Sequence, residues 1–431
     1  MIFMTVADNE LEDKNKILNA NLKYLSNYTF DTEPLVSIII PNRDGLKYLK
    51  ILFNDFAYKA NYSNFEIIFV DNASSDGSVE YVKSLDFNKI TIIENDENLS
   101  FSKLNNDAVD VANGEYILFL NNDIEPTFGW LNEMMGTMLH NENIGAVGAK
   151  LIFPYNNDPM KEEYSFSIQH YGGILRENSC EEFDYAARHQ YKFSKDIFDE
   201  KFLNNKKCII ATAAVFLIRK DTFLEMNGFD EDYLFGFEDV DLDLKLYKAG
   251  YDIVLASAAL LFHYESVTRK KEKRQNYVVF NEKWGDYLFK ELLYDKLEKN
   301  YFLTDKKLSF LFINKRRSDF RFHRYVKKAV KYLNSEKYDT HISDQFNLDI
   351  NHRIDILVST TLDYDIESIS ARKNIIKILV LRKGDFNPDK CQNYDIIISD
   401  DKINLSNAYL IKNLSKFGEE LPSILYSHYF K

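Results

Sequence analysis

Cysteine is almost missing from this chain. Only Cys180, Cys208 and Cys391 occur in 431 residues. They are too few and too scattered for a disulfide framework or a zinc knuckle, which points to a reducing compartment. Proline is also scarce, at seven, beside abundant Asn, Lys, Ile and Tyr, a bias of composition rather than a functional signal. No apolar run approaches ~18 residues, so no membrane-spanning helix is expected. The opening MIFMTVADNELEDK has no basic stretch followed by a long apolar core and does not read as a signal peptide. A basic surplus is missing too. Lys and Arg number 54 against 67 Asp and Glu, a formal charge of −13. Residues 1–300 hold 32 basic and 50 acidic side chains, a net of −18; residues 301–431 hold 22 and 17, a net of +5. That balance excludes whole-chain electrostatic capture of DNA or RNA. It suggests either a solubilising surface or a site that gathers carboxylates around a cation.

What is present is an ordinary globular composition, 45% apolar and 28% charged, at a length that suits two or three domains. Residues 1–34 read as an N-terminal helix and linker. From residue 35 the chain alternates between apolar runs of strand length and helical patterns. VSIII (36–40), EIIFV (66–70), ITII (90–93) and YILFL (116–120) read as strands. Residues 46–60 and 102–112, and a short stretch opened by Asp76-Gly77-Ser78, read as helices. Continuous apolar strands alternating with helices imply a mostly parallel sheet covered on both faces. A helix to about 140, a strand around 146–152, a long polar excursion (155–206), a strand over 208–218, a helix over 238–249, a strand over 253–259 and closing helices over 274–299 complete one α/β unit, 35–300. Residues 301–431 read as a second, smaller α/β unit, short for a complete doubly wound domain, with a basic helix at 320–334 and no site motif.

In open parallel sheets ligands bind beyond the carboxyl ends of the strands. Three polar segments lie there: Pro41-Asn42-Arg43-Asp44-Gly45, Asp71 through Ser78, and Asn121-Asn122-Asp123. Asp76 and Ser78 suit helix capping. Asp71 directly follows a buried strand, where a carboxylate can accept an N–H from a planar ligand such as a nucleobase. A fourth segment, 228–253, packs seven carboxylates into 230–243. On a helix beginning near Glu238, Leu242, Leu246 and Ala249 share the apolar face. Glu238 and Asp239 then fall in the first turn, where the helix dipole tolerates acids and where a positioned general base could sit. After the next strand stands His263, whose neutral imidazole can ligate a metal.

In this order and spacing, VSIIIPNRDG, VDNASSDGS, ENLSFSKLNNDAVDVANGEYILFLNNDIEP, GFDEDYLFGFEDVDLDLKLYKAGYDI and LLFHYESVT resemble family 2 glycosyltransferases, closest in look to bacterial rhamnosyl- and galactofuranosyl-type transferases of surface polysaccharides. The resemblance spans about 35–290. It implies the GT-A fold, a Rossmann-like, mostly parallel central sheet with helices on both faces, and an inverting, metal-assisted transfer from a nucleotide sugar. By the same resemblance Asp71 reads a uracil or thymine ring. Pro41, Asn42 and Arg43 form the first nucleotide loop, and Lys103, Asn105, Asn106, Asn121 and Asn122 line the donor pocket. Asp123 and His263 hold Mn²⁺ or Mg²⁺, with Asn121 standing where the family's motif has Asp. Asp239 is the base and Glu238 its support. His170, Tyr171 and Gly172 are candidates for the acceptor side, and the basic cluster including Arg269 and Lys270 for a flap over the diphosphate. The expected partners are a UDP- or dTDP-linked sugar and a glycan or lipid-linked acceptor, with no nucleic acid, at a cytoplasmic location that allows peripheral contact with the inner membrane face. A non-catalytic sugar-nucleotide-binding or scaffold protein is the alternative. A nucleotidyltransferase lacks support, because no Gly-rich, Arg-containing phosphate loop follows the first strand.

Overall fold

The computed structural model describes residues 6–87, 89–155, 162–177, 185–234, 236–264, 274–314, 320–343, 354–360, 375–382 and 385–431. Cys180, Arg269 and Lys270 lie outside these residues. Two compact units divide the chain. The first comprises Met1–Ile174 with Ala187–Phe280; the second comprises Leu175–Ala186 with Asn281–Lys431.

The first unit opens with helix α1 (Val6–Asn21) and strand β1 (Val36–Asn42). Helices α2 (Leu46–Leu52) and α3 (Phe56–Ala60) follow, then β2 (Phe65–Asn72), α4 (Ser78–Lys83) and β3 (Ile90–Asn95). Next come α5 (Phe101–Val111), β4 (Tyr116–Leu120), β5 (Ile124–Pro126), α6 (Trp130–Leu139), β6 (Ile144–Ile152) and β7 (Ile168–His170). After the paired strands β8 (Gly173–Glu177) and β9 (Tyr185–His189) come β10 (Lys206–Cys208), β11 (Val215–Arg219), α7 (Lys220–Glu225), α8 (Glu238–Lys248), β12 (Asp252–His263) and α9 (Arg274–Leu297), which crosses into the second unit. The main sheet has the order β10-β12-β6-β11-β4-β1-β2-β3, with β5 on β12 and β7 on β6. Strands β4, β1, β2 and β3 are mutually parallel, as are β6 and β12, while β11 runs antiparallel between β4 and β6. This is the mostly parallel α/β sheet expected from the sequence.

The reason for the unbroken apolar strands is visible in how they divide their side chains. Ile38, Ile40, Ile67, Phe69, Leu118 and Leu120 enter one core with α2, α3 and α6. Their neighbours Ile39, Ile68, Val70, Ile117 and Phe119 enter the other, against α5 and α8. Each strand is therefore buried on both faces, and its period-two alternation has no polar side to display.

Three local readings needed revision. The helix expected over 46–60 breaks into α2 and α3 at Asp55, which is left-handed at φ 56°. Ala249 is the exposed C-cap of α8, not part of its apolar face. The strand expected over 208–218 is interrupted: β10 ends at Cys208 and β11 begins at Val215. The intervening residues 209–214 form no strand of their own, pairing only through a single bridge from Ile210 to Gly173, although all but the half-buried Thr212 are buried.

The second unit carries a parallel sheet of β13 (Ser309–Ile313), β14 (Asp339–Ser343), β15 (Ile356–Ser359), β16 (Ile376–Leu381), β17 (Ile396–Ser399) and β18 (Ala408–Leu410) in the order β14-β13-β15-β16-β17-β18. Helix α10 (Phe320–Ser335) buries Phe322, Val326, Ala329 and Leu333 at three- and four-residue spacing and exposes Arg324, Lys327, Lys328 and Lys331, as its basic amphipathic pattern requires. β14 and β18 were not legible as strands, since neither is an apolar run.

Candidate active site

The parallel register brings the carboxyl ends of β1, β2 and β4 to one rim. There the polar residues that follow each strand meet. Asn42 Nδ2 donates to Asp71 Oδ1 (3.2 Å) and to Ser74 Oγ (3.1 Å), and Asn122 Nδ2 donates to Asn42 Oδ1 (2.6 Å). Asp71 Oδ2 accepts the Ser74 backbone N–H at 2.8 Å. Asp71 is 3% exposed, held in place by neutral donors and by no cation of its own. A carboxylate oxygen has more than one lone-pair site, so each can accept again from a planar donor.

Gly45 is part of this cluster by what it leaves out. A Cβ there would lie 2.2 Å from Asn122 Nδ2 and 2.3 Å from Asn42 Oδ1, so the bond between the two asparagines fits only over a glycine. Asp76, expected as a cap, accepts from the backbone N–H of Ser78 (3.0 Å) and from that of Leu46 at the start of α2 (2.8 Å). Burial raises its pKa, but the Ser78 hydroxyl, which also donates to it, and then these backbone amides hold it below the usual carboxylate range. Its work is to tie two helix starts together. Pro41 is half-buried and Arg43 exposed beside the cluster.

Asp123 and His263 face one another across the β5–β12 pair, where Ile124 is the register partner of His263. His263 Nε2 lies 3.2 Å from Asp123 Oδ1. The other ring nitrogen, Nδ1, is 2.7 Å from Gln169 Oε1, and Gln169 Nε2 donates to the His263 carbonyl at 3.2 Å. That second bond fixes the amide, so Oε1 is the acceptor and Nδ1 carries the hydrogen. In its neutral form the imidazole would aim its Nε2 lone pair at a carboxylate oxygen. Two acceptors at that distance repel unless a proton or a cation stands between them. A histidine whose far nitrogen is pinned by an amide oxygen is also how proteins orient a metal-ligating imidazole. Among the described residues no group of three or more His, Cys, Asp or Glu could hold a metal ion. The pair that could contribute ligands to a cation here is Asp123 and His263, a carboxylate and an imidazole, donor types compatible with Mg²⁺ or Mn²⁺.

Helix α8 begins on strained backbone. Gly236 (φ 97°) and Phe237 (φ 76°) are both left-handed, an uncommon state for a bulky residue. The Phe237 ring packs on Tyr277 and Phe280, with centroids 4.7 and 4.8 Å away, and Asn276 Nδ2 donates to the Gly236 carbonyl. Glu238 is 4% exposed, and its Oε2 accepts the Gly236 N–H at 2.5 Å. Asp239 is partly exposed; Oδ1 accepts the Val240 N–H (2.9 Å) and Oδ2 that of Ala213 (3.2 Å). The next residue, Ala214, accepts the Asn121 N–H at 2.9 Å. The chain 213–214 thus links the acid at the start of α8 to the turn that carries Asn122 and Asp123. A buried acid, Glu238, and a partly exposed one, Asp239, thus stand side by side at the start of α8.

Other expected residues are engaged elsewhere. Lys103 is exposed and pairs with Asp107 at 2.8 Å. Asn105 is buried and donates to Phe101 O. Asn106 bonds both the N–H and the carbonyl of Phe229, pinning the turn after Gly228. His170, Tyr171 and Gly172 are interior and not part of an open acceptor face. His170 Nδ1 is 2.9 Å from His189 Nδ1, and burial holds its pKa well below the usual histidine value. Tyr171 donates to Asn204 O at 2.9 Å. Sequence reasoning missed Gln169, the 213–214 link and the closeness that requires Gly45. No local pattern announces any of them, because each acts through a partner at least 26 residues away or through the side chain it does not have.

The glycosyl transferase family 2 sequence pattern matches residues 37–223. An uncharacterised protein, y4gI, of Sinorhizobium fredii is 29% identical over 65% of this chain and 31% of its own length. The O-antigen biosynthesis protein RfbC of Myxococcus xanthus is 27% identical over 59% of this chain and 19% of its own length. The matched region thus spans under a third of both relatives. A solved structure of GalNAc-T7 with UDP, GalNAc and Mn²⁺ aligns at 13% identity and a TM-score of 0.45, covering 63% of this chain and 51% of that one. Residues 37–223, which carry the strand ends of this rim, thus match the glycosyl transferase family 2 pattern.

Proposed function

We propose that this chain is an inverting, metal-dependent transferase. It moves a sugar from a UDP- or dTDP-linked donor to a hydroxyl of a glycan or lipid-linked acceptor, in the synthesis of bacterial cell-surface polysaccharide. The observation that carries the reading is the link Asp239–Ala213–Ala214–Asn121, which ties a partly exposed acid to the turn bearing Asp123. Asp71, with Asn42 beside it, accepts the N–H of the base. Asp123 and His263 would hold a divalent cation, which would supply neutralisation of the charge on the departing diphosphate. Asp239 takes the proton of the acceptor hydroxyl as its oxygen bonds to the anomeric carbon and the bond from that carbon to the diphosphate breaks. One displacement inverts that carbon and needs one base, unlike the paired carboxylates of retaining glycosidases. The O-antigen role in the name of the Myxococcus relative agrees with a surface-polysaccharide setting. Among the described residues no helix is long and apolar enough to cross a membrane, so any contact with a lipid-linked acceptor is peripheral for these residues.

The test is a transfer assay across UDP and dTDP sugars with Mn²⁺. EDTA abolishes transfer and added Mn²⁺ or Mg²⁺ restores it. Undiminished transfer after complete chelation would remove the cation from Asp123 and His263. Donor binding without transfer or hydrolysis across a broad acceptor panel would favour a binding protein instead.

A further inference from the structure

One acid near the site has no place in the reaction described above. Asp243 stands one helical turn beyond Asp239 on α8, a spacing that puts both side chains on the same face. It is fully buried. Its Oδ2 accepts the Ala211 N–H at 2.8 Å, and its Oδ1 is enclosed with no hydrogen-bond partner among the described residues. The two acids therefore take alternate amides of one short segment: Asp243 holds Ala211 and Asp239 holds Ala213. The segment continues into Ala214, whose carbonyl accepts from Asn121. It is the same 209–214 stretch that interrupts what the sequence presents as a single strand.

We propose that Asp243 is a positioning residue, kept as a neutral carboxylic acid, which anchors the 211–214 segment and so sets the spacing between Asp239 and the Asn121–Asp123 turn. The inference rests on the transferase reading for its catalytic consequence and on geometry alone for its chemical state.

Burial of an unpaired oxygen favours the protonated form. An ionised carboxylate there would have one amide hydrogen bond and no cation, a costly state in an apolar interior. Desolvation is the largest influence pushing its pKa well above the usual carboxylate range, and the neighbouring Asp239 pushes in the same direction. The titratable groups that face it among the described residues are Asp239 on its own helix and the buried thiol of Cys208 on β10, itself pushed up by burial and by Asp243. Among the described residues no cation offsets a negative charge at this position. The consequence for the site follows. A neutral Asp243 leaves Asp239 as the only charge of the pair. An ionised Asp243 would set two like charges one turn apart and disfavour the anion on Asp239.

The test compares D243N and D243A with the wild-type protein. Asn keeps the carbonyl oxygen that accepts from Ala211 and mimics the neutral acid; Ala leaves the buried Ala211 N–H without its acceptor. Infrared spectra at neutral pH should show a protonated-carboxyl C=O band in the wild type that is missing from D243N. In the transfer assay D243N should keep wild-type kcat near neutrality and lose the alkaline decline that ionisation of Asp243 brings. D243A should lose about 10-fold to 100-fold in kcat, equivalent to the ~1–3 kcal/mol of an unsatisfied buried donor, with donor Kd unchanged. If D243A does not fold, the infrared band and the D243N profile still decide the matter. A missing band, superimposable pH profiles, or D243N as inactive as an Asp239 variant would overturn the proposal. Failure of the wild type to transfer any sugar would instead defeat the transferase reading, and the infrared result would stand apart from it.

Discussion

At the scale of single residues, burial and small size shape the site as much as charge does. Gly45 shows the second. Because an added methyl would sit within 2.3 Å of both amides of the Asn42–Asn122 bond, Gly45→Ala should break that bond. A net hydrogen bond is worth about 0.5–1.5 kcal/mol, so calorimetry should show donor affinity falling by up to about tenfold, while the melting temperature changes little. Unchanged donor affinity would show that the asparagine pair does not line the donor site. Asp243 shows the effect of burial on stability. Its folded-state pKa lies above that of the unfolded chain, so between about pH 4 and the folded value the native state holds a proton that the unfolded state has released. The stabilisation associated with that proton is complete below the unfolded pKa and is lost as pH rises towards the folded one. D243N carries no such loss. Its stability relative to the wild type should therefore grow from pH 5 to pH 8, measured as the urea midpoint; a constant difference would contradict a neutral Asp243. His170 has the opposite sign. Its pKa is depressed by burial, so its contribution is present above about pH 6.5 and is lost on acidification.

At the scale of elements, what could be read from the sequence depended on how much of each pattern is local. β1, β2, β4 and β13 each carry an unbroken run of apolar residues because both faces are covered, and that signal does not depend on the partner. Helix α8 was legible through Leu242 and Leu246, which are fully buried. The break between β10 and β11 was not legible. Residues 209–214 are nearly as apolar as β11, and only the acids of α8, which accept from Ala211 and Ala213, show that these two amides face a helix rather than a neighbouring strand. Likewise α2 and α3 separate at Asp55, whose left-handed φ interrupts a helical pattern without any Gly or Pro. The interrupted segment can be tested directly. Ala213→Pro removes the N–H that Asp239 accepts and should depress transfer with little change in donor affinity. In the strand beside it, Leu118→Ala, at a fully buried position, should cost ~2–5 kcal/mol of stability in denaturant unfolding through a cavity in the core. A loss below about 1 kcal/mol would mean the sheet is not packed on that face.

At the scale of the whole molecule, the sheet, its class and the rim where the polar strand ends converge were legible from alternation alone. Asp71, Asp123, Glu238, Asp239 and His263 were legible as candidates because each lies at or just beyond the end of an apolar strand run or opens a helix. The second unit is a parallel sheet of the order β14-β13-β15-β16-β17-β18, and its apolar strands were legible, but no motif marks what it binds. The acid surplus of residues 1–300 takes on structure in the first unit. A few of its carboxylates gather at the rim, while others, such as Asp76 and Asp243, hold backbone amides. The central claim is that Asp239 is the base of a sugar transfer. Its most direct measurement pairs turnover with donor binding for D239N in the presence of Mn²⁺. The account predicts that kcat falls by about 10²–10⁴-fold, the range of a lost general base, while the affinity for the nucleotide sugar is retained. Turnover equal to that of the wild type would contradict it.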